Sequence, residues 1–554
     1  MFKGHPKGLY VLFFSNMGER FGYYTMMAIF ALFFEAKFGM SIQNVGFVWS
    51  TFLFSIYFIP LFGGMLADKI GYSKIITTGI VFMFIGYGMM AIPGQAQTFI
   101  YISLFVIALG TGLFKGNLVV ILGNLYEEQG YKKMHAAAFN IFYMGINIGA
   151  FFAPYAATAL RNWILTRDGL FYNAKLPGMI HQFLNNPDTY EHIGTLKELA
   201  IQQLGDKFTN LTDFCALYRD SLSQGYNAAF AIASISIIGS LFIFRGFKKY
   251  YKKADYIHSQ KQENNKNRVE LTPKQVKDRV FALLMVFFVV IFFWMAFHQN
   301  GYTLTWFAKN YTAGAVSAIT KIFFDIWAFL SLIAVIIGIV FIIGKNFKGK
   351  MKTVGAGLLL FGAIILFIRY NTFIETNPIA PELFQSFNPI FVVFLTPVIL
   401  VFFSWLNKKG KEPSPPKKMG IGMIILGIAW LLMTIVAFGQ QSPASLEVVG
   451  GVSNSLVSPY WLISMYFWMT IAELFISPMG LAFVAKVSPP KLRGTMQGGW
   501  LAATAIGNML SGIVGIPYSH IELWQTFGLL VLTSFIAGGL MFFMLKKLEK
   551  SASS

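Results

Sequence analysis

The run VFALLMVFFVVIFFWMAF, residues Val280 to Phe297, holds eighteen consecutive residues without a charge. A hydrocarbon core of about 30 Å is crossed by a helix of about 20 apolar residues, so the run reads as a membrane span. Similar stretches lie on both sides of it. They fall near 8–36, 43–67, 75–93, 98–126, 136–160 and 224–244, then 280–308, 317–344, 353–369, 383–406, 419–438, 459–485, 494–517 and 523–545. These fourteen runs lack the two-residue alternation of barrel strands, and backbone groups in lipid need internal partners. All are therefore read as helices, and the fold class as an all-α integral membrane protein. Composition agrees: 56% of the 554 residues are hydrophobic and 12% charged, with 59 Phe. Soluble chains carry about a quarter charged residues.

A net charge of +20, from 44 Lys and Arg against 24 Asp and Glu, raises nucleic-acid binding as a function class. The placement of the charges removes it. If the N-terminus is cytoplasmic, 32 of the 44 basic residues fall in cytoplasmic segments, eleven of them between Arg245 and Arg279. Nine fall on the other side, among them Arg161 and Lys309. This alternation obeys the positive-inside rule, and an odd number of spans would break it, so both termini are expected in the cytoplasm. The basic excess is then an orientation signal with attraction to anionic lipid. The single cysteine, Cys215, excludes an intrachain disulfide and Cys-based metal spacing. MFKGHPKGLYVLFF lacks a small-residue cleavage site and reads as the start of a first span, not a removable signal.

Two connections are long. Segment 163–222 carries seven acids and a helical stretch from Thr195 to Leu204, and reads as an external cap; segment 245–279 reads as a solvated linker. The expected organisation is helices 1–5 in 1–162, the cap in 163–222, helix 6 in 223–246, the linker in 247–278, helix 7 in 279–312, two extra helices in 313–372 and helices 8–12 in 373–554. Six plus six helices about a basic linker resembles the major facilitator fold, whose substrate site lies between the halves at mid-membrane. No strong sequence repeat relates the halves. The stretch from Gly63 to Lys74 resembles that superfamily's loop signature, with Tyr72 and Ser73 where basic residues are common. Within it Asp68 is expected to hold helix-end amides and nearby Lys in one conformation, as a gating residue, or else to sit in an ordinary turn.

Ionisable residues inside a membrane are costly and default to functional candidates. Glu19 and Arg20 in the first span, Lys115 in the fourth, His298 in the seventh and Glu473 in a late span qualify. Lys321 and Asp325 lie near a membrane edge, where snorkelling explains them. Cations that fork onto a carboxylate, with a separate acid for an amine, suit a zwitterionic substrate. The competing reading is structural pairing of Glu19 and Arg20.

Several stretches then resemble one family, the proton-dependent oligopeptide transporters. Asn16-Met17-Gly18-Glu19-Arg20-Phe21-Gly22-Tyr23-Tyr24 is similar to its ExxERFxYY motif, and Gly110 to Asn117 to its glycine-rich stretch ending in a lysine. Phe142 to Gly149 resembles its FYxxINxG signature, and Gln385 to Pro389 and Ala472 to Leu481 resemble two further motifs, with Trp500 following. The resemblance implies that Arg20 and Lys115 hold a peptide carboxylate and Glu473 the amino terminus. Tyr23, Tyr24, Tyr57, Asn117, Asn147, Trp294, Asn388, Ser477 and Trp500 would line the pocket. For Tyr23, Tyr57, Trp294 and Trp500, packing is the competing reading. The chain departs from the family at Asn16, Met27 and His298, where the first motif acid and the two partners of an outer-gate salt bridge are expected. Both gate partners change together, so the gate is expected to close by another contact. Glu19 is expected as the main proton site and His298, whose imidazole has an ordinary pKa of about 6.5, as a modulator or a neutral hydrogen-bonding group.

The resemblance implies proton-coupled symport of di- and tripeptides across a bacterial inner membrane, by a monomer, with no cofactor and no metal. A related transporter of another small zwitterionic or anionic solute, with altered coupling, is the alternative. An enzyme is disfavoured by the absence of HExxH, GxSxG and a phosphate loop ending in GK[ST]. A sensor is disfavoured by the short tail after Lys546. The extra helices are expected outside the bundle and away from the substrate.

Overall fold

The computed structural model describes residues 4–127, 131, 134–255, 272–344, 347–448, 451–489, 492–518 and 520–553. The first half comprises α1 (Lys7–Phe38), α2 (Ile42–Phe58), α3 (Pro60–Ile70), α4 (Tyr72–Ala91), α5 (Gln97–Leu125), α6 (His135–Arg167), the short α7 (Leu176–Asn185) and α8 (Ile193–Leu204), and α9 (Leu211–Gly246). The second opens with α10 (Pro273–Phe297) and α11 (Thr303–Asn310), followed by α12 (Ala318–Lys321) and the pair α13 (Ile326–Ile343) and α14 (Lys350–Tyr370). It continues through α15 (Phe387–Lys408), α16 (Pro415–Ala437), α17 (Pro443–Val448), α18 (Pro459–Val487), α19 (Arg493–Ile513), α20 (Gly515–Tyr518), α21 (Leu523–Phe543) and α22 (Leu545–Ser553). One two-residue antiparallel ladder, β1 (Ala315–Val316) with β2 (Asn377–Pro378), ties the ends of the inserted pair.

Thirteen segments among the described residues are long and apolar enough to cross a membrane. The 32-residue α1 joins them as a fourteenth long helix, kept out of that apolar set by its charges and tyrosines. Two of the spans are broken. Pro60 opens α3 and divides the second span, because it cannot continue the hydrogen-bond ladder of α2. The seventh span is also divided: the apolar run quoted above ends as α10, and a 3-10 turn from His298 to Gly301 precedes α11. Helices within a half meet closely through small residues. A Cβ added at Gly79 would lie 2.6 Å from the Gly110 carbonyl, and one at Gly110 2.6 Å from that of Gly79, so the backbones of α4 and α5 touch.

The two ends of the chain share a face. His5 pairs with Tyr126 at 2.6 Å at the end of α5, and Lys547 of α22 lies 4.0 Å over Phe281 at the start of α10. The residues after α9 return to that face in two 3-10 turns, with Tyr251 buried and the Ala254 carbonyl accepting from Asn124 at 3.0 Å. The linker is thus structured to Asp255, not solvated throughout; 256–271 lie outside the described residues. The opposite face carries α7 and α8, and is called the cap face below.

Other boundaries differ from expectation. Helix 6 starts at Leu211, because the Asn210 side chain caps it through the Asp213 amide. The first inserted helix starts at Ile326, not near 317, because Asp325 caps α13 through the Ala328 amide at 2.9 Å. Asp325 also pairs with Arg369 at 2.5 Å, and Lys321 donates to the Pro378 carbonyl at 2.5 Å, so both are fixed partners and not snorkelling groups. The α13–α14 pair packs outside the bundle and straddles the halves: Phe329 stands 5.8 Å from Phe151 of α6 and 6.2 Å from Phe387 of α15.

Gly110→Leu is expected to cost about 1–3 kcal/mol by overpacking. Thermal unfolding in detergent will show this as a lowered midpoint, while Gly116→Leu, where nothing lies within 4 Å of an added Cβ, leaves the midpoint in place.

Candidate functional site

Polar groups sit on the continuous helices α1 and α5, on α18 and at the break after α10. In α1 both oxygens of Glu19 accept from the Arg20 guanidinium, Nε to Oε2 and Nη2 to Oε1, the latter at 2.5 Å. Glu19 is fully buried and Arg20 is 5% exposed. The pair is neutral in sum, which is how an acid and a base persist in a low-dielectric core. Tyr23 stacks its ring 4.9 Å from the guanidinium and packs edge-on against Tyr24.

Lys115 of α5 sits with its ammonium 3.7 Å from the centre of the Tyr57 ring. Tyr57 in turn lies edge-on to His298 at 6.1 Å, and His298 leans on Trp294 at 5.1 Å. His298 Nδ1 pairs with the Trp294 carbonyl at 3.3 Å, a group at the end of α10. One chain of contacts therefore runs from Lys115 of α5 through Tyr57 of α2 to His298 and Trp294 at the break after α10.

The second half contributes Glu473. Its Oε2 accepts from Asn388 Nδ2 at 3.0 Å, which also reaches Thr470 Oγ1 at 3.0 Å. Pro478 lies inside α18, one turn beyond Glu473, and Ser477 Oγ beside it is buried without a partner. Trp294 Nε1 and Asn16 Nδ2 are likewise unpartnered. The far end of the Trp500 indole packs against Gly480: an added Cβ there would fall 1.9 Å from its Cη2, so only glycine leaves room for the ring.

Two asparagines are committed to backbone. Asn117 donates to the Leu113 carbonyl at 2.8 Å and the Gly63 carbonyl at 3.2 Å, tying α5 to α3. Asn147 donates to Tyr143 at 3.0 Å along its own helix. In this conformation Asp68 holds a side chain and not the helix-end amides. It accepts from the Tyr72 hydroxyl, and the Ser73 amide is held instead by Asp255 at 2.9 Å, which follows α9.

The charges that close the cap face were missed from sequence. Lys309 of α11 donates to Glu35 of α1, and Arg161 of α6 pairs with Glu382, in the 3-10 turn before α15, at 2.5 Å. Both pairs join the first half to the second. Arg161 and Lys309 were counted as outer-loop cations; the structure leaves them 1% and 4% exposed. Met27 and His298 carry no such contact, so closure has moved about two turns up α1, to Glu35. Tyr302 adds a bond to the Ile42 carbonyl, and Gln385 one to the Ala28 carbonyl at 3.4 Å. Among the described residues no group of three or more His, Cys, Asp or Glu could hold a metal ion.

Arg20 and Lys115 thus stand on helices of the first half and Glu473 on a helix of the second. Comparison with known proteins gives the chain a family. The model of the POT family matches residues 73–277 and 351–517. The chain is 26% identical over 535 residues to dipeptide and tripeptide permease A of Escherichia coli strain K12, covering 92% of this chain and 84% of that protein. It is 26% identical over 527 residues to dipeptide and tripeptide permease B of Xenorhabdus bovienii, covering 92% and 86%. A crystal structure of a peptide transporter POT with sulfate superposes with a TM-score of 0.65 at 21% identity, covering 100% of this chain and 96% of that one. A POT family transporter with 5-aminolevulinic acid gives 0.65 at 20% identity, covering 99% and 98%. These likenesses establish the fold as that of the major facilitator transporters, and with two thirds of its length matched by the family model, the chain belongs to the POT family.

Proposed function

We propose that this integral membrane protein is a secondary active transporter that imports di- and tripeptides with protons by alternating access, working in a bacterial inner membrane as a monomer. The observation that carries the proposal is the division of charge across one interior site. Arg20 and Lys115 stand in the first half; Glu473, oriented by Asn388, stands in the second. A peptide carries its carboxylate and ammonium at opposite ends, and this wall-to-wall arrangement matches that pattern. The half-buried Tyr24, Tyr57 and His298 between them leave the side chains of the peptide to apolar contact. Tyr23, Trp294 and Trp500 support that wall, with Ser477 as a free hydroxyl, Asn117 and Asn147 as framework, and Asp68 as a tie on the face bearing the termini.

The Glu19–Arg20 pair supplies a route to coupling. While Glu19 is ionised it occupies both branches of the Arg20 fork. Protonation of Glu19 removes the charge that holds the guanidinium, which then turns its fork to the peptide carboxylate. Proton uptake thereby precedes tight substrate binding. Downhill entry of one charge across about 100 mV contributes about 2.3 kcal/mol, near fiftyfold accumulation. His298, packed against Tyr57 and Trp294, serves as a modulator of this step. A second reading, transport of another small zwitterion, is favoured by His298 standing where an acid is expected, and by the neighbour solved with 5-aminolevulinic acid.

Purified protein in proteoliposomes is expected to concentrate labelled dialanine when an inward proton gradient is imposed and to lose accumulation with an uncoupler. Glu19→Gln should retain exchange of dialanine but lose gradient-driven accumulation; a variant that still accumulates would remove Glu19 from coupling. His298→Gln should move the pH profile of uptake with little loss of maximal rate. Failure of dialanine to compete with a transported zwitterion would favour the second reading. For the cap-face closure, Lys309→Met is expected to lower the unfolding midpoint by stranding Glu35, a loss of about 3–5 kcal/mol, and the double variant Glu35→Gln with Lys309→Met to recover most of it.

A further inference from the structure

On the face bearing the termini, the ends of α4 and α9 form a groove of about 520 Å³ that shares no residue with the interior site. Lys74 lines it from the first turn of α4, and Arg245 from the last turn of α9. One turn further in, Thr77 and Thr78 follow on α4, and Leu241 and Phe242 on α9. Toward the cap face the two helices are tied: Ser234 donates to the Phe84 carbonyl at 3.2 Å and Asn227 to the Met90 carbonyl at 2.6 Å.

The groove carries uncompensated positive charge. Lys74 and Arg245 are exposed, and among the described residues neither has a carboxylate within ion-pair distance. Asp255, the acid that reaches the start of α4, is taken by the Ser73 amide at 2.9 Å and by Lys248 at 3.6 Å. Thr77 and Thr78 spend their hydroxyl protons on the Ser73 and Lys74 carbonyls, at 2.8 and 3.1 Å. The two cations are therefore the side-chain donors left in the lining, and they suit an anion.

The apolar surface beyond them decides which anion. Past the threonines the exposed residues of α4 are Val81 and Ile85, and past Phe242 the exposed residue of α9 is Ile235. Their spacing by three, four and seven continues one stripe along each helix. From Lys74 to Ile85 the stripe runs about 16 Å at a helical rise of about 1.5 Å per residue, near half of a hydrocarbon core of about 30 Å. That is the depth of one leaflet. A soluble anion makes no use of such a stripe, whereas a phospholipid presents a phosphate at one end and acyl chains along the rest.

We propose that the groove between α4 and α9 binds an anionic phospholipid of the leaflet on the termini face. Lys74 and Arg245 hold its phosphate, the arginine by its fork and the lysine as a point charge. An acyl chain lies along Phe242, Ile235, Val81 and Ile85. The lining contains no acid to take the ammonium of a zwitterionic headgroup, so the site selects net negative charge. The lipid bridges α4 to α9 beside the 3-10 turns that end at Ala254, so its binding stabilises the first half.

Thermal unfolding of the purified full chain, delipidated in uncharged detergent and titrated with phosphatidylglycerol or phosphatidylcholine, tests the site, with native mass spectrometry counting bound lipid. Phosphatidylglycerol is expected to raise the wild-type midpoint and add one tight equivalent; phosphatidylcholine should do neither. Lys74→Gln with Arg245→Gln should keep the midpoint in detergent alone and weaken that equivalent about thirtyfold, the effect of two cations on an anionic headgroup. Lys74→Arg with Arg245→Lys, which preserves both charges, should retain it. So should Lys350→Gln with Lys352→Gln, which removes as much charge from the exposed start of α14. Equal weakening by the two Gln pairs would reduce the attraction to diffuse surface charge and overturn the site. An equal response to phosphatidylcholine overturns the selection of an anionic lipid, and displacement by excess inorganic phosphate replaces the lipid with a free anion.

Discussion

An ionised side chain in hydrocarbon must be neutralised where it stands, and the rest of this molecule is arranged around that requirement. Glu19 is met by its own neighbour Arg20, Glu35 by Lys309 and Glu382 by Arg161. Each solution has a different structural cost. The first is local to one helix and survives any motion of the halves. The other two need the halves together, so separation on the cap face exposes four charges, and it becomes feasible only as water or a substrate group replaces the lost partner. The same demand that stabilises one conformation thus sets the condition for leaving it.

Lys115 answers the requirement another way. Its ammonium rests on the Tyr57 ring, and an aromatic face neutralises a cation less completely than a carboxylate does. A cation held so loosely is available to an arriving anion. Glu473 is the counterpart, held by a neutral amide from Asn388 and, among the described residues, by no base. The interior therefore keeps one charge in each half with no oppositely charged partner among the described residues, while the cap-face pairs tie the two halves together.

The spans and the interior charges were legible in the sequence because both are local signals. An apolar run of the length of Val280 to Phe297 needs no tertiary knowledge, and Glu19, Arg20, Lys115 and Glu473 interrupt such runs visibly. The cap-face pairs were not legible. Glu35 and Lys309 lie at the ends of their helices, where sequence alone cannot distinguish a wetted charge from one covered by a distant segment. Their burial comes from α7, whose His181 packs against Gly39, and from contact between the halves. Asp68 shows the same limit in reverse: the loop signature pointed to an acid at the α3–α4 turn, but the acid that holds the Ser73 amide is Asp255, more than 180 residues away in the chain. Helix ends shifted for a related reason, since Asn210 and Asp325 fix them by single side-chain caps that hydropathy does not weigh.

The inserted pair α13–α14 has a mechanical consequence. Its two helices are locked to each other where an added Cβ at Gly338 would meet the Gly355 carbonyl at 2.7 Å, so they move as one plate. That plate leans on α6 of one half and α15 of the other through the Phe329 ring, while α14 presents most of its surface outward. Any rocking of the halves must drag the plate through lipid. The acyl chains around it, their order and their thickness, then enter the energy difference between the two open states, and the bilayer becomes a participant in the transport cycle rather than its container.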